Sequence, residues 1–156
     1  IKSIGVVQGK TYEEIVMCYK DVTPRVDKVA ISFDYSYYIA STENLKPINK
    51  YASWMLGRQK LLSDLLNDGV IDTNKPHHLL GCALPQEFIA YKDYSWIDSV
   101  DTSNPVVHGL NGVQYRPSGL DDKISTKLIE YMSEDVTDLQ LEFIKGNIEQ
   151  FRKFCN

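Results

Sequence analysis

Cysteine is scarce in this 156-residue chain, and the three that occur, Cys18, Cys82 and Cys155, lie far apart. An odd, scattered set excludes a disulfide framework and a cysteine-rich zinc site, and it fits a reducing, cytoplasmic compartment. No apolar run approaches the roughly 18 residues that a membrane span needs, so no membrane partner is expected. The opening Ile1-Lys2-Ser3 lacks the apolar core of an export signal, and with no initiator Met the amino terminus is expected to be trimmed. Basic residues are outnumbered, 17 Lys and Arg against 21 Asp and Glu for a formal charge of −4. The chain therefore has no overall basic field for a phosphate backbone, and nucleic acid could be held only by a local patch. A glycine-rich phosphate loop is also missing. Val7-Gln8-Gly9-Lys10-Thr11 has its end, but the other glycine, Gly5, lies inside a strand pattern. There is no internal repeat and no low-complexity stretch.

What is present is ordinary globular material, 43% hydrophobic and 24% charged, enough for one domain over residues 1–156. Ile4 to Gln8 reads as a short buried strand ended by Gly9. Thr11 and Glu14 have capping-box spacing before a helix with Ile15, Cys18, Tyr19 and Val22 on one face. Val26 to Phe33 repeats the strand pattern and ends at Asp34, after which a polar loop through Pro47 is expected. A long helix follows from about Ile48 to Asp68, with Ala52, Met55, Leu56, Leu62, Leu65 and Leu66 inward and Gly69 as its cap. His78 to Ala83 is the third strand, Pro85 opens a short helix through Tyr91, and Trp96 to Asp101 is the fourth strand. Val106-Val107-His108 is a fifth, weaker strand, followed by a loop from Gly109 to Asp122. Two helices close the chain, Lys123 to Met132 and Leu139 to Phe154. Thr137 and Gln140 cap the second, and Leu141, Ile144, Ile148, Phe151 and Cys155 share one of its faces. Alternating strands and helices predict an α/β fold with a parallel sheet. A closed eight-stranded barrel takes about 250 residues, so the choice lies between a small open sheet and a partial (β/α) TIM-type barrel.

In either architecture chemistry gathers at the carboxyl ends of the strands. The polar residues there are Gln8, Ser32, Asp34, Gly81 with its exposed backbone, Asp101 and His108. Asp101 ends the fourth strand ahead of Thr-Ser-Asn-Pro, where a nucleophile or base could be held; the bland alternative is a turn cap. Asp98, three residues earlier, is expected on the opposite face as a buried carboxylate bonding backbone amides. His77 and His78 face apart, which argues against joint metal ligation, and no metal or cofactor is expected. Tyr35, Tyr37 and Tyr38 could stack on a base or sugar, though such residues more often roof a core.

Four strand-end motifs, in order over residues 4–105, resemble the tRNA-guanine transglycosylase superfamily, including phage relatives that insert 7-deazaguanine bases into DNA. Val6-Val7-Gln8-Gly9 is similar to the family's V-Q-G strand, and Val29-Ala30-Ile31-Ser32 to its A-I-G-G strand. Leu79-Leu80-Gly81-Cys82-Ala83-Leu84-Pro85 is similar to L-M-G-V-G-T-P, and Ile97-Asp98-Ser99-Val100-Asp101 to I-D-M-F-D. The resemblance implies that Asp101 attacks the sugar C1′, displaces guanine and holds a glycosyl-enzyme until a 7-deazaguanine replaces it. Gln8, Ser32, Asp34, Gly81 and His108 would line the base and substrate pocket. The implied partners are tRNA or DNA and the incoming base. Ser32 and Phe33 stand where the family has a second Gly, and its zinc motif and first half-barrel have no counterpart here. The chain is therefore expected to be the carboxyl half of a (β/α)8 barrel, self-associating or pairing with the absent half. Two rival readings are a non-catalytic barrel half used for assembly, and a barrel enzyme for a phosphorylated small molecule with Arg116 as anion ligand.

Overall fold

The computed structural model describes residues 2–133 and 135–156. Its centre is a four-stranded, all-parallel sheet whose strands lie side by side in chain order: β1 (Ile4–Val7), β2 (Lys28–Ile31), β3 (His77–Leu79) and β4 (Ile97–Val100). A sequential order never reverses direction across the sheet, so successive same-handed crossovers gather the helices on one side. The burial agrees. Val7, Val29, Ile31, His77 and Leu79 are buried beneath α1 (Tyr12–Val22) and α3 (Lys50–Asn67), against Ile15, Tyr19, Leu61, Leu62 and Leu65. On the other face Ile4 is 59% and Val6 45% exposed, which leaves that end of it bare, while the small Ala30 beside Val6 is buried. Gly5 sits on the covered face, where a Cβ would lie 2.3 Å from a methyl of Val22, so only glycine lets α1 approach this closely.

Local chemistry explains where the helices begin. Thr11 accepts from the Glu14 amide, while the Glu14 carboxylate reaches back to the Lys10 amide, a one-residue variant of the expected capping box. Gly69 adopts φ 66° just past α3, as expected for a helix-ending glycine. The segment after Asp34 is not a loop. Its side chain caps the Ser36 amide and starts α2 (Tyr35–Thr42). Tyr37 and Tyr38 are buried there as a roof, and Tyr35 stacks on Trp54 at 4.1 Å.

The carboxyl-terminal third corrects the sequence reading. Val106-Val107-His108 is not a fifth strand but the middle of α4 (Asn104–Leu110). Pro105 at its first turn favours helix, and Gly109 packs so closely on α5 (Asp138–Cys155) that a Cβ would meet Ile144 at 2.5 Å. The expected helix from Lys123 to Met132 reduces to one 3-10 turn, Leu128–Tyr131. Its first residues are taken by distant partners: Lys123 Nζ donates to the Cys82 carbonyl and the Ile124 amide to His108 Nε2. In α5 the Thr137/Gln140 capping box is present. The buried stripe is rotated, however, because Asn147 and Phe154 are its buried positions while Leu141 and Cys155 are exposed. Asn147 is tied to the Tyr115 amide and to the carbonyls of Pro105 and Val113, which fastens α5 to α4 and to the chain after it.

Candidate functional site

Asp101 follows the last residue of β4, and its amide continues the ladder to the Leu79 carbonyl. The side chain is 64% exposed. Its Oδ1 accepts from the Gly81 amide at 2.9 Å and lies 3.3 Å from His78 Nε2. Among the described residues nothing bonds Oδ2. Gly81 can offer its N–H this way because its φ is 65°, a conformation that costs side-chain-bearing residues energy.

The Gly81 turn is clamped from the covered side. Arg58, fully buried on α3, donates to the carbonyls of Leu80 at 2.6 Å and Gly81 at 2.9 Å. Its Nε pairs with Glu87 at 2.6 Å, and the Tyr91 hydroxyl donates to the same carboxylate oxygen. Burial works against the Arg58 charge, but Glu87 outweighs it and holds the guanidinium protonated. The guanidinium also lies 4.6 Å from the Phe33 ring centre. This clamp was not anticipated from the sequence. Its signal was a charge at position 58, on the α3 face that also carries Leu61, Leu62 and Leu65.

On the bare face a second array runs across three strands. Lys28 Nζ donates to Asp98 Oδ2 at 2.6 Å and reaches Ser99 Oγ at 3.3 Å. Ser99 Oγ lies 2.9 Å from Asp98 Oδ1 and 2.9 Å from His78 Nδ1. Asp98 is thus neither buried nor bonded to backbone amides as expected; it is 41% exposed and paired with a lysine. The register slip opposite His77/His78 explains the difference, since a bulge suspends strict alternation and lets Asp98 and Ser99 both reach Lys28. Partial burial acts to raise the Asp98 carboxyl, but the hydrogen bonds from Lys28 and Ser99 outweigh it and hold it below the usual carboxylate range. Ser99, His78 and Asp101 have the connectivity of a hydrolytic triad, yet the Ser99 hydroxyl is shared among three partners rather than free to attack.

The remaining site expectations separate into groups. Gln8, Ser32 and Asp34 line one small cleft between the ends of β1 and β2, with Asp34 Oδ1 committed to its helix cap. Gly81 and Asp101 touch each other. His108 joins neither: it is buried in α4, with Nδ1 on the Asn104 carbonyl and Nε2 accepting from Ile124, and burial pushes its pKa down. His77 is likewise a core residue facing Tyr19, opposite to His78. Arg116 is paired with Asp121 at 2.5 Å, so it is not an uncommitted anion ligand. Among the described residues no three His, Cys, Asp or Glu side chains are grouped to hold a metal, and no helix is long and apolar enough to cross a membrane. No family model matches the chain, and neither curated proteins nor solved structures match it.

Proposed function

We propose that this chain is the carboxyl half of a transglycosylase-type (β/α) barrel in which Asp101 is the nucleophile. The carrying observation is the Asp101 carboxylate, held through Oδ1 by Gly81 and unbonded at Oδ2, at the carboxyl end of a parallel sheet. The sequential strand order and the bare face support a barrel half, because a barrel keeps its helices outside and its strand faces inward. Oδ2 attacks C1′ of the sugar, the C1′–N bond breaks, and its electron pair leaves with guanine, which takes a proton from solvent. The incoming 7-deazaguanine then gives up its ring N–H proton as that nitrogen bonds C1′ and the aspartyl ester breaks, restoring the carboxylate. Gln8, Ser32 and the free oxygen of Asp34 share a separate small cleft at the ends of β1 and β2, so a part in base recognition needs that cleft to open towards Asp101. The acceptor nucleic acid, tRNA or DNA, would be bound largely by the complementary half, given this chain's net acidity. Three free cysteines suit a cytoplasmic setting.

The test is Asp101→Asn in the full protein, assayed for exchange of labelled guanine and for a covalent nucleic-acid adduct by mass spectrometry. Exchange is expected to fall at least about a thousandfold with no adduct; undiminished exchange removes Asp101 from the reaction.

A second reading, a barrel half used only for assembly, is favoured by the exposed Ile4 and Val6 on a face that a second layer would normally cover. Solution mass and purine binding separate the two: assembly without purine binding supports the second.

A further inference from the structure

The array beneath Asp101 spans three strands, and the chemistry above does not need it. We infer that His78 is the positioning residue of Asp101, and that the Ser99 hydroxyl, backed by Lys28 and Asp98, keeps the proton of His78 on the nitrogen that faces Asp101. This rests on the reading of Asp101 as nucleophile.

Nε2 of His78 lies against a carboxylate oxygen, so only an N–H there is attractive; a lone pair would repel Oδ1. Nδ1 faces Ser99 Oγ at 2.9 Å, and a hydroxyl can either donate or accept. With neutral imidazole, Ser99 turns its single proton from Asp98 Oδ1 to Nδ1, and Lys28 keeps Asp98 paired. With imidazolium, Nδ1–H donates to Ser99, whose own proton turns to Asp98 Oδ1 at 2.9 Å. Both states leave Nε2–H on Asp101. Ser99 is therefore a swivel that lets His78 change charge without releasing the nucleophile. The charged and titratable groups around His78 are Lys28 from β2 and Asp98 and Asp101 from the β4 chain, with Ala30 opposite it in β2. Direct contact with Asp101 also places His78 on the nucleophile's side of the sugar, so it cannot serve as acid to a base leaving from the opposite face.

The chain has three histidines, and the other two are internal controls. His77 Nδ1 faces the Lys75 carbonyl and His108 Nδ1 the Asn104 carbonyl, so each must carry its proton on Nδ1. Nitrogen NMR of the labelled full protein, at a pH where all three rings are observed neutral, is expected to show two Nδ1–H imidazoles and one Nε2–H imidazole, the latter being His78. An Nδ1–H signal for neutral His78 overturns the inference without any substitution. In the exchange assay, Ser99→Ala and His78→Phe should lower kcat about ten- to a hundredfold with KM for the base within about twofold, and His78→Gln should restore part of the loss. Undiminished kcat in His78→Phe, alongside an inactive Asp101→Asn, refutes the positioning role while sparing the nucleophile. An active Asp101→Asn instead refutes the nucleophile, and the tautomer measurement still judges the array.

Discussion

Two ionic arrays meet at the same turn from opposite sides of the sheet, and they are built on opposite principles. Behind it, Arg58 and Glu87 are both 0% exposed and make their bonds in a sealed aromatic surround of Phe33, Phe88 and Tyr91. In front, Lys28 is 25% and Asp98 41% exposed, and their array ends on a histidine and a carboxylate open to solvent. A buried pair cannot change protonation without a large penalty, so it fixes one geometry. An open pair costs little to rearrange, so it can follow a reaction. The turn from Leu80 to Gly81 is where fixed geometry is handed to adjustable chemistry.

The sharpest way to break this contrast is on the buried side. Arg58→Met leaves Glu87 charged in the interior with only Tyr91 as partner, and its Oε2 is already without a hydrogen bond among the described residues. The expected loss is about 3–5 kcal/mol, read from urea denaturation midpoints. Adding Glu87→Leu should recover part of it by removing the stranded charge. Recovery stays incomplete, because the Leu80 and Gly81 carbonyls have lost their donor. If the single variant is as stable as the wild type, the clamp is not what shapes the turn.

The sheet, α1, α3 and α5 were legible because each carries a local signal: four apolar runs, the Thr11 and Thr137 caps, and Gly69. What was illegible depends on partners distant in sequence. Val106 and Val107 have strand propensity, but Pro105 and the contact of Gly109 with α5 impose a helix. The stretch from Lys123 loses its helix to Cys82 and His108. The Asp34 cap of α2 is by contrast a local signal, an Asp two residues before the amide it accepts from. At the site, Asp101 and Gly81 could be named from their place at strand ends. Ser99 and Lys28 could not, because only the bulge opposite His77/His78 brings Asp98 and Ser99 together on Lys28.

The turn itself gives an intermediate effect. Gly81→Ala meets only Phe33, at 3.6 Å, so its cost is the left-handed backbone, about 1–2 kcal/mol. Gly69→Ala, with φ 66° and nothing near, carries the same backbone cost far from Asp101. Equal stability losses with reduced exchange only in Gly81→Ala would isolate the amide's role in holding Asp101. Equal exchange in both would remove it.

The smallest effect belongs to the open array. Lys28→Met removes a partly exposed pair and should cost at most about 1 kcal/mol at neutral pH. Its signature is pH dependence. The Asp98 carboxyl is held below its unfolded value, so the pair's contribution is present above about pH 4 and is lost as pH falls through the folded value. Urea midpoints of wild type and Lys28→Met should therefore differ at pH 7 and converge once the pH falls below the depressed Asp98 value. A gap that persists in acid would mean that Lys28 stabilises through its packed stem rather than its charge. The open array would then be as fixed as the buried one, and the contrast between the two sides of the turn would fail.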